Sequence, residues 1–199
     1  MTVLIDPYDE SVGPKVPSRR ADYTLITHAH FDHDNLSAVA GRTTVVQGSG
    51  ARGDARLPVH GVLAAHDAVG GRERGMVNMM TFSLDGLRVA HLSDLGHLLD
   101  VDQVAELRPV DIALVPVGGP PFTVDGRAAR AVVDMLDPRV VIPMHYRTAS
   151  TRRDRFPIDD VEPFLEGHRR VERVRSGVLE ITRASLPVQQ TIFVLTPTM

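Results

Sequence analysis

The chain has 199 residues, 43% of them hydrophobic and 24% charged, a composition typical of a globular protein, which argues against disorder and fibrous repeats. This length predicts one domain over residues 1–199, and no apolar run approaches the roughly 18 residues that a membrane-spanning helix needs. The net charge of −3 gives no general attraction to nucleic acid or anionic lipid, and the absence of cysteine excludes disulfides, thiolate metal ligands and a cysteine nucleophile.

Three short β-rich runs occupy the N-terminal part of the chain. They are Val3–Asp6, Tyr23–Thr27 and Thr43–Gln47, and turn residues bound each of them, as is typical of strands. The first two stop directly before polar loops, so polar side chains are expected at the ends of these strands.

A β-hairpin is predicted over Met79–Asp94. Asp85 and Gly86 supply the positive-φ pair of a two-residue turn, and alternating residues flank this pair on both sides. The second strand of the hairpin, Leu87–Leu92, stops just before Ser93 and Asp94.

Two later strands and three helices complete the prediction. The runs Asp111–Gly119 and Arg139–Tyr146 are nearly continuously apolar, as expected of strands that are covered on both faces. Helical spacing marks Val101–Arg108 with Asp100 as its N-cap, Val124–Leu136 with Asp125 or a neighbour as its N-cap, and a weaker segment, Asp159–Glu166. Strands separated by helices predict an α/β arrangement of layers.

The loop after the second strand has the residues of a metal site. His28 and His30 stand two positions apart, a spacing that lets both imidazoles point to one side and bind a single ion. Asp32 and His33 follow, offset toward a neighbouring position, where a second ion would fit. Four ligands from one loop do not complete two sites, so further donors are needed.

The remaining donors must come from later segments of the chain. The candidates are His60, His66, His91, Asp94, His97, His145 and His168. Three of them, His66, Asp94 and His145, stand where strands give way to loops, and we favour these three. An isolated histidine is more often a surface or core residue, and this interpretation is kept for His60 and His168.

At these residues the sequence resembles the metallo-β-lactamase superfamily. THAHFDH matches its HxHxDH signature, and LIDPY, AAHD, HLSDLGH and VIPMHY match its further segments in order. The segments LIDPY, SDLGH, VGGPPFTVD and VIPMHY are most similar to those of small bacterial metal-dependent hydrolases related to ascorbate-6-phosphate lactonase. The resemblance implies an α/β fold, the αββα sandwich, with a dinuclear zinc site at one edge of the sheets.

The resemblance also implies a ligand set and a mechanism. The first metal would be held by His28, His30 and His66, the second by Asp32, His33 and His145, and both would be bridged by Asp94. Two divalent ions, with zinc expected and manganese or iron as alternatives, would share a hydroxide that acts as the nucleophile.

Further roles near the site are predicted from position. Asp32 would orient the nucleophile as well as bind metal, and His97 would support the site or contact substrate, with a core residue as the alternative. The loop Gly118–Thr123 could line the mouth of the site or simply form a turn, and Tyr146 could form a wall of the pocket.

Two features depart from the family pattern. Relatives usually have a strand pair before the LIDP segment, whereas this chain starts just before Leu4, so an open sheet edge and pairing into a homo-oligomer are expected. Ser93 stands where many relatives carry glycine.

The predicted function is hydrolysis of a small ester, lactone, amide or phosphodiester in the cytoplasm, with no nucleic-acid or membrane partner. The alternatives are a non-catalytic metal-binding or sensor protein and an iron-dependent oxidoreductase of the same fold. Two clusters of basic residues are interpreted as a solvated face, with recruitment of an anionic substrate as the alternative. They are Arg147, Arg152, Arg153 and Arg155, and Arg169, Arg170, Arg173 and Arg175.

Overall fold

Eleven strands and three α-helices make up the regular structure of the part of the chain that the computed structural model describes, which is residues 1–9, 11–12, 18–151 and 156–197. The strands are β1 (Val3–Ile5), β2 (Tyr23–Ile26), β3 (Thr44–Gln47), β4 (Gly50–Gly53), β5 (Pro58–Ala65), β6 (Met76–Leu84), β7 (Leu87–His91), β8 (Ile112–Pro116), β9 (Val140–Met144), β10 (Val171–Val174) and β11 (Thr191–Leu195). The helices are α1 (Val101–Leu107), α2 (Gly126–Leu136) and α3 (Glu162–Leu165), with a 3₁₀ turn at Leu36–Ala38.

The small sheet has three parallel strands in the order β1-β2-β3. All four residues of β2 are buried, because this strand is paired on both sides, with Tyr23 opposite Val3 and Thr44. The strand β1 lies at the edge of this sheet among the described residues, and the prediction of a homo-oligomer through such an edge stays a prediction.

The large sheet has eight strands in the order β10-β11-β9-β8-β7-β6-β5-β4. Strands β4 to β7 pair antiparallel, and β7, β8, β9, β11 and β10 pair parallel. The predicted hairpin is formed by β6 and β7, where Leu84 pairs with Leu87 and the turn residues have φ values of 50° at Asp85 and 77° at Gly86.

Two hydrophobic cores lie on opposite faces of the large sheet. The helices pack on one face, where Leu107, Val132 and Phe164 join strand residues in one cluster. The small sheet packs on the other face, where Tyr23 and Leu25 meet side chains of β5, β6 and β7. The predicted α/β sandwich is therefore confirmed, although none of the three described helices packs on the small sheet.

The helix boundaries follow the capping residues. The Asp100 side chain accepts a hydrogen bond from the Gln103 N–H in a capping box, and the Asp125 side chain accepts one from the Ala128 N–H, as predicted. Helix α3 is shorter than predicted, since it starts only at Glu162 and ends before Gly167. Strands β4, β10 and β11, and β5 before its last residues, were not predicted. Strands β4 and β10 contain charged residues or glycine and have no clean apolar alternation, whereas the apolar run of β11 was a usable signal. The prediction of one domain stays a prediction.

No helix in the described ranges has the length and apolar character needed to span a bilayer.

Candidate metal centre

The predicted ligands follow strands of both sheets and converge at one edge of the sandwich. The His28 to His33 loop comes directly after β2 of the small sheet. His66 follows β5, Asp94 follows β7 and His145 follows β9, all in the large sheet. The structure thus brings residues from four separate segments to one place.

The carboxylate of Asp94 is the centre of this cluster. Its Oδ2 lies within 4.0 Å of four imidazole Nε2 atoms, those of His33 at 3.2 Å, His145 at 3.4 Å, His66 at 3.5 Å and His28 at 4.0 Å. The carboxylate of Asp94 thus faces histidines from three separate segments of the chain, and its bridging role stays a prediction.

Three groups of three donors each have all their donor atoms within 4.8 Å of one another. One combines Asp6 with His28 and His33, and the other two contain predicted ligands only. We call them the first triad (His28, His30 and His66) and the second triad (His33, Asp94 and His145). Asp32 belongs to neither group, but its Oδ2 lies 3.7 Å from the His33 Nε2. All seven predicted ligands are therefore close neighbours in the structure.

Hydrogen bonds fix the tautomer of His28 for metal binding. The Thr27 hydroxyl donates to Asp6 Oδ2 at 2.7 Å and accepts from the Ser93 hydroxyl at 2.7 Å, so its proton is not available to His28. The His28 Nδ1, 3.0 Å from the Thr27 Oγ1, must then be the donor. The Nε2 lone pair faces the cluster, where it is buried without a hydrogen-bond partner, which fits a metal ligand.

Asp6, at the end of β1, holds His33 in the same way. Its Oδ2 accepts from the His33 Nδ1–H at 3.0 Å, which orients the Nε2 toward the Asp94 carboxylate. Asp6 also accepts the Thr27 N–H at 2.8 Å, so one carboxylate anchors both ends of the ligand loop. Sequence reasoning gave Asp6 no role, although its place after a strand and before a turn was a usable signal.

The two triads differ in the electrostatics of their histidines. Burial lowers the pKa of His28 to about 3, and burial also lowers the pKa of His66, with a smaller contribution in the same direction from Arg74. Burial alone would lower the pKa values of His33 and His145, but the Asp94 carboxylate outweighs it and raises both. Burial opposes ionisation of Asp94, and the charges of His145 and His33 overcome this effect and lower its pKa well below the usual range.

Close backbone packing keeps the strand ends together. A Cβ on Gly96 would lie 2.3 Å from the Asp67 nitrogen, and a Cβ on Gly118 would lie 1.9 Å from the His145 carbonyl oxygen. Both positions therefore require glycine. Positive φ values also concentrate here, with 46° at Asp6, 53° at Ser93 and 52° at His145. Backbone strain of this kind is typical of functional sites.

The ring of His97 supports the segment that carries His66. Its Nε2 accepts the Ala65 N–H at 3.0 Å, and its Nδ1–H donates to the Leu98 carbonyl at 2.7 Å. Both nitrogens are therefore occupied by backbone. Of the roles predicted for His97, support of the site fits this geometry, and contact with substrate does not.

A cavity of about 310 Å³ opens beside the second triad. Its walls include Ile5, Tyr8 and Met144, and Asp32 and His91 reach it as polar groups. The His91 Nδ1 accepts the Ser93 N–H at 3.2 Å, so the proton of the neutral ring is on Nε2. Sequence reasoning included His91 among the candidate donors but did not place it at the site.

The other candidates lie elsewhere. His60 pairs with Glu106 at 2.8 Å, and His168 packs against Phe164, so neither joins the cluster. The prediction that Tyr146 lines the pocket was wrong, because its side chain packs against the helix-side core and its hydroxyl donates to the Leu195 carbonyl at 3.2 Å.

The loop Gly118–Thr123 does reach the site, since the Phe122 ring lies 6.3 Å from the His145 ring. In the basic clusters, Arg147 pairs with Asp160 at 2.8 Å and Arg173 pairs with Glu162 at 2.7 Å. Arg152, Arg153 and Arg155 lie outside the described residues.

Two packed sheets with a histidine and aspartate cluster at their strand ends define a metal-binding α/β sandwich. Residues 1–145 match the β-lactamase superfamily domain, and the chain belongs to this family. It is 31% identical over 195 residues to a metal-dependent hydrolase of Archaeoglobus fulgidus, covering 82% of this chain and 80% of that protein. A metal-dependent hydrolase of Nanoarchaeum equitans is 30% identical over 187 residues, covering 81% of this chain and 80% of that protein.

A solved structure from Thermotoga maritima shares the fold over most of its length. It is described as a Zn-dependent hydrolase of the metallo-β-lactamase superfamily and has 32% sequence identity and a TM-score of 0.79, covering 97% of this chain and 88% of that chain. The resemblance to the superfamily is thereby confirmed.

Proposed function

We propose that the protein is a metal-dependent hydrolase that uses two divalent ions, with zinc as the expected metal, to cleave a small ester, lactone, amide or phosphodiester. The observation that carries this proposal is the position of the Asp94 Oδ2, within 4.0 Å of four imidazole nitrogens from both triads. The names of the relatives, which are metal-dependent hydrolases, support it.

The donor set suits zinc, since imidazole and carboxylate groups are its common ligands in the absence of cysteine. The first triad would hold one ion, the second triad and Asp32 would hold the other, and Asp94 would contact both. Bound ions would lower the pKa of water to near neutrality and polarise the oxygen of the scissile group. The buried Nε2 of His28, which has no other partner, fits this assignment.

Residues of the cavity wall would orient the attacking water and the substrate. Asp32 lines the cavity 3.7 Å from the His33 Nε2, and its carboxylate would accept a hydrogen bond from the attacking water and orient it. The Nε2–H of His91 would donate to an oxygen of the substrate from the cavity wall. Ile5, Tyr8 and Met144 would exclude water from the bound substrate.

The cavity limits the size of the substrate. Its volume of about 310 Å³ is at the lower end of the roughly 300–1,000 Å³ of small-molecule sites. A small ester, lactone, amide or phosphodiester therefore fits better than a polymer.

The test is a panel of chromogenic esters, lactones and phosphodiesters, assayed with the wild-type protein and a His30→Ala variant after measurement of the metal content. About two equivalents of zinc per chain and a loss of at least about 10²-fold in rate for the variant are expected. Equal rates in both proteins would contradict the proposed hydrolase activity and favour a metal-binding or sensor role. One equivalent of iron would favour an oxidoreductase.

A further inference from the structure

Three side chains form a row from the protein surface to the metal centre. The Arg74 Cζ lies over the ring of Phe122, 4.3 Å from its centroid. The Phe122 ring lies 6.3 Å from the ring of His145, a member of the second triad. A cationic group is thus stacked on an aromatic side chain at the border of the site, on the side of the cluster where His66 and His145 emerge from their strands.

The position of Arg74 is fixed by the segment that carries a metal ligand. The carboxylate of Asp67, directly after His66, accepts four backbone N–H groups, and that of Arg74 is one of them, at 2.8 Å. These donors outweigh the effect of burial and lower the pKa of Asp67 to about 2, so this carboxylate is charged at neutral pH. The His66 N–H also donates to the carbonyl of Gly75, at 3.0 Å, which ties the start of the loop to its end.

Phe122 is equally constrained. It lies in the turn after β8, where its N–H donates to the Gly119 carbonyl at 3.2 Å. The neighbouring Gly118 packs against the carbonyl of His145, as described above. The aromatic ring is therefore attached to the strand end that presents His145.

The guanidinium of Arg74 differs from those of three other arginines. Arg147, Arg173 and Arg183 each pair with a carboxylate, whereas no carboxylate pairs with the Arg74 guanidinium in the described ranges. Stacking on Phe122 uses the face of the guanidinium and leaves its N–H edge free for a planar anion. A guanidinium at the border of the site attracts an anionic group of any ligand that is bound beside it.

We propose that Arg74 and Phe122 form an anion subsite of the active site, so that the substrate carries a carboxylate or phosphate group next to an apolar portion that packs on Phe122. This inference rests on the proposed function, because it assumes that the substrate reaches the His and Asp cluster. It assigns Arg74 as a residue that determines specificity, a role which the sequence gave no reason to expect.

The test is calorimetric binding of small anions to the zinc-loaded full chain. The carboxylate arm compares glutarate with butyrate, and the phosphonate arm compares 3-phosphonopropionate with propionate. Each pair differs by one anionic group, so the ratio of affinities reports recognition of that group alone. The variants are Arg74→Gln and Phe122→Leu, and Arg72→Gln is the matched control because Arg72 is an exposed cation of the same loop.

In the wild type, at least one of the doubly anionic probes is expected to bind about 10-fold tighter than its partner. Arg74→Gln should reduce this ratio to near one, Phe122→Leu should reduce it by a few-fold, and Arg72→Gln should retain it. The arm with the larger ratio identifies the anion as carboxylate or phosphate.

A wild-type ratio near one in both arms, or an unchanged ratio in Arg74→Gln, would overturn the inference. Hydrolysis is measured separately on the same preparations. Absence of turnover with intact anion selectivity would count against the proposed function and not against the subsite.

Discussion

Both triads contain histidines, but their surroundings shift the pKa values of these histidines in opposite directions. In the first triad, burial depresses the pKa values of His28 and His66, so these rings are neutral and ready to bind an ion. In the second triad, His33 and His145 have raised pKa values because they surround the Asp94 carboxylate. Positive charge is therefore disfavoured on His28 and His66 and favoured on His33 and His145.

This difference predicts that metal binding depends on pH to a different degree in the two triads. An ion competes with protons for the imidazoles, and this competition should be stronger at His33 and His145, where Asp94 favours the protonated rings. Asp94 belongs to the second triad but faces both. Four experiments test this difference between the triads.

The largest effect is expected from Asp94→Asn, which removes the charge that faces both triads. An amide cannot bridge two cations as a carboxylate does, so at least about 10³-fold of the hydrolytic rate should be lost. The metal content should fall below one equivalent per chain. Mass spectrometry of metals and a rate assay check this, and a variant that keeps two equivalents would show that Asp94 is not the shared ligand.

Asp6→Asn should weaken the second triad more than the first. The amide cannot accept the His33 Nδ1–H as strongly as the carboxylate does, and loss of such a partner typically lowers metal affinity about 10- to 100-fold. His28 is affected only through Thr27, which also donates to Asp6, so chelator competition should reveal one strongly weakened and one less weakened ion. Equal weakening of both ions would contradict the separation of the triads.

The pH dependence of the metal-free protein should differ between the triads. The pKa of His28 is about 3 in the folded state and near 6.5 when unfolded, so the unfolded state binds the extra proton as the pH falls. From this group the free energy of unfolding should decrease by roughly 1 kcal/mol per pH unit below pH 6.5. The raised pKa of His33 acts oppositely, because its contribution is complete below pH 6.5 and is lost as the pH rises through the folded value.

Urea unfolding in chelator between pH 5 and 8.5 measures both slopes. His28→Gln should flatten the acidic side, and His33→Gln should flatten the alkaline side. If either variant kept the full slope of the wild type on its own side, the assignment of the two protonation states would fail.

The smallest effect is expected at Ser93, next to the shared ligand. Ser93→Ala removes the buried hydrogen bond to Thr27, worth about 1 kcal/mol, and keeps the positive φ of 53°. Ser93→Gly loses the same bond but relieves the backbone, so its stability should stay within about 0.5 kcal/mol of wild type. Equal destabilisation by both variants would contradict this compensation.

The sequence was most informative where the signal was local. Short sequence patterns predicted three kinds of local feature that the structure has. They are the Asp85-Gly86 turn, the helix caps Asp100 and Asp125, and the end of β2 before His28. The spacing of the HxHxDH motif and the placement of other donors at strand ends predicted which residues meet.

Contacts between distant segments could not be predicted in this way. The bond of Asp6 to His33, the stacking of Arg74 on Phe122 and the position of Tyr146 depend on how strands align in three dimensions. Tyr146 follows a ligand directly, but its side chain packs on the helix side of the large sheet. Residues adjacent in the sequence can therefore face opposite sides of a sheet.

The ligands come from both sheets, with the His28 to His33 loop on the small sheet and His66, Asp94 and His145 on the large one. Ions held between them would act as a cross-link that clamps the two halves of the sandwich at one edge. Since the unfolded chain lacks this arrangement, tight binding of metal would add directly to the free energy of unfolding. Supply of metal in the cell would then govern how long each molecule resists heat and proteases, as well as whether it can act.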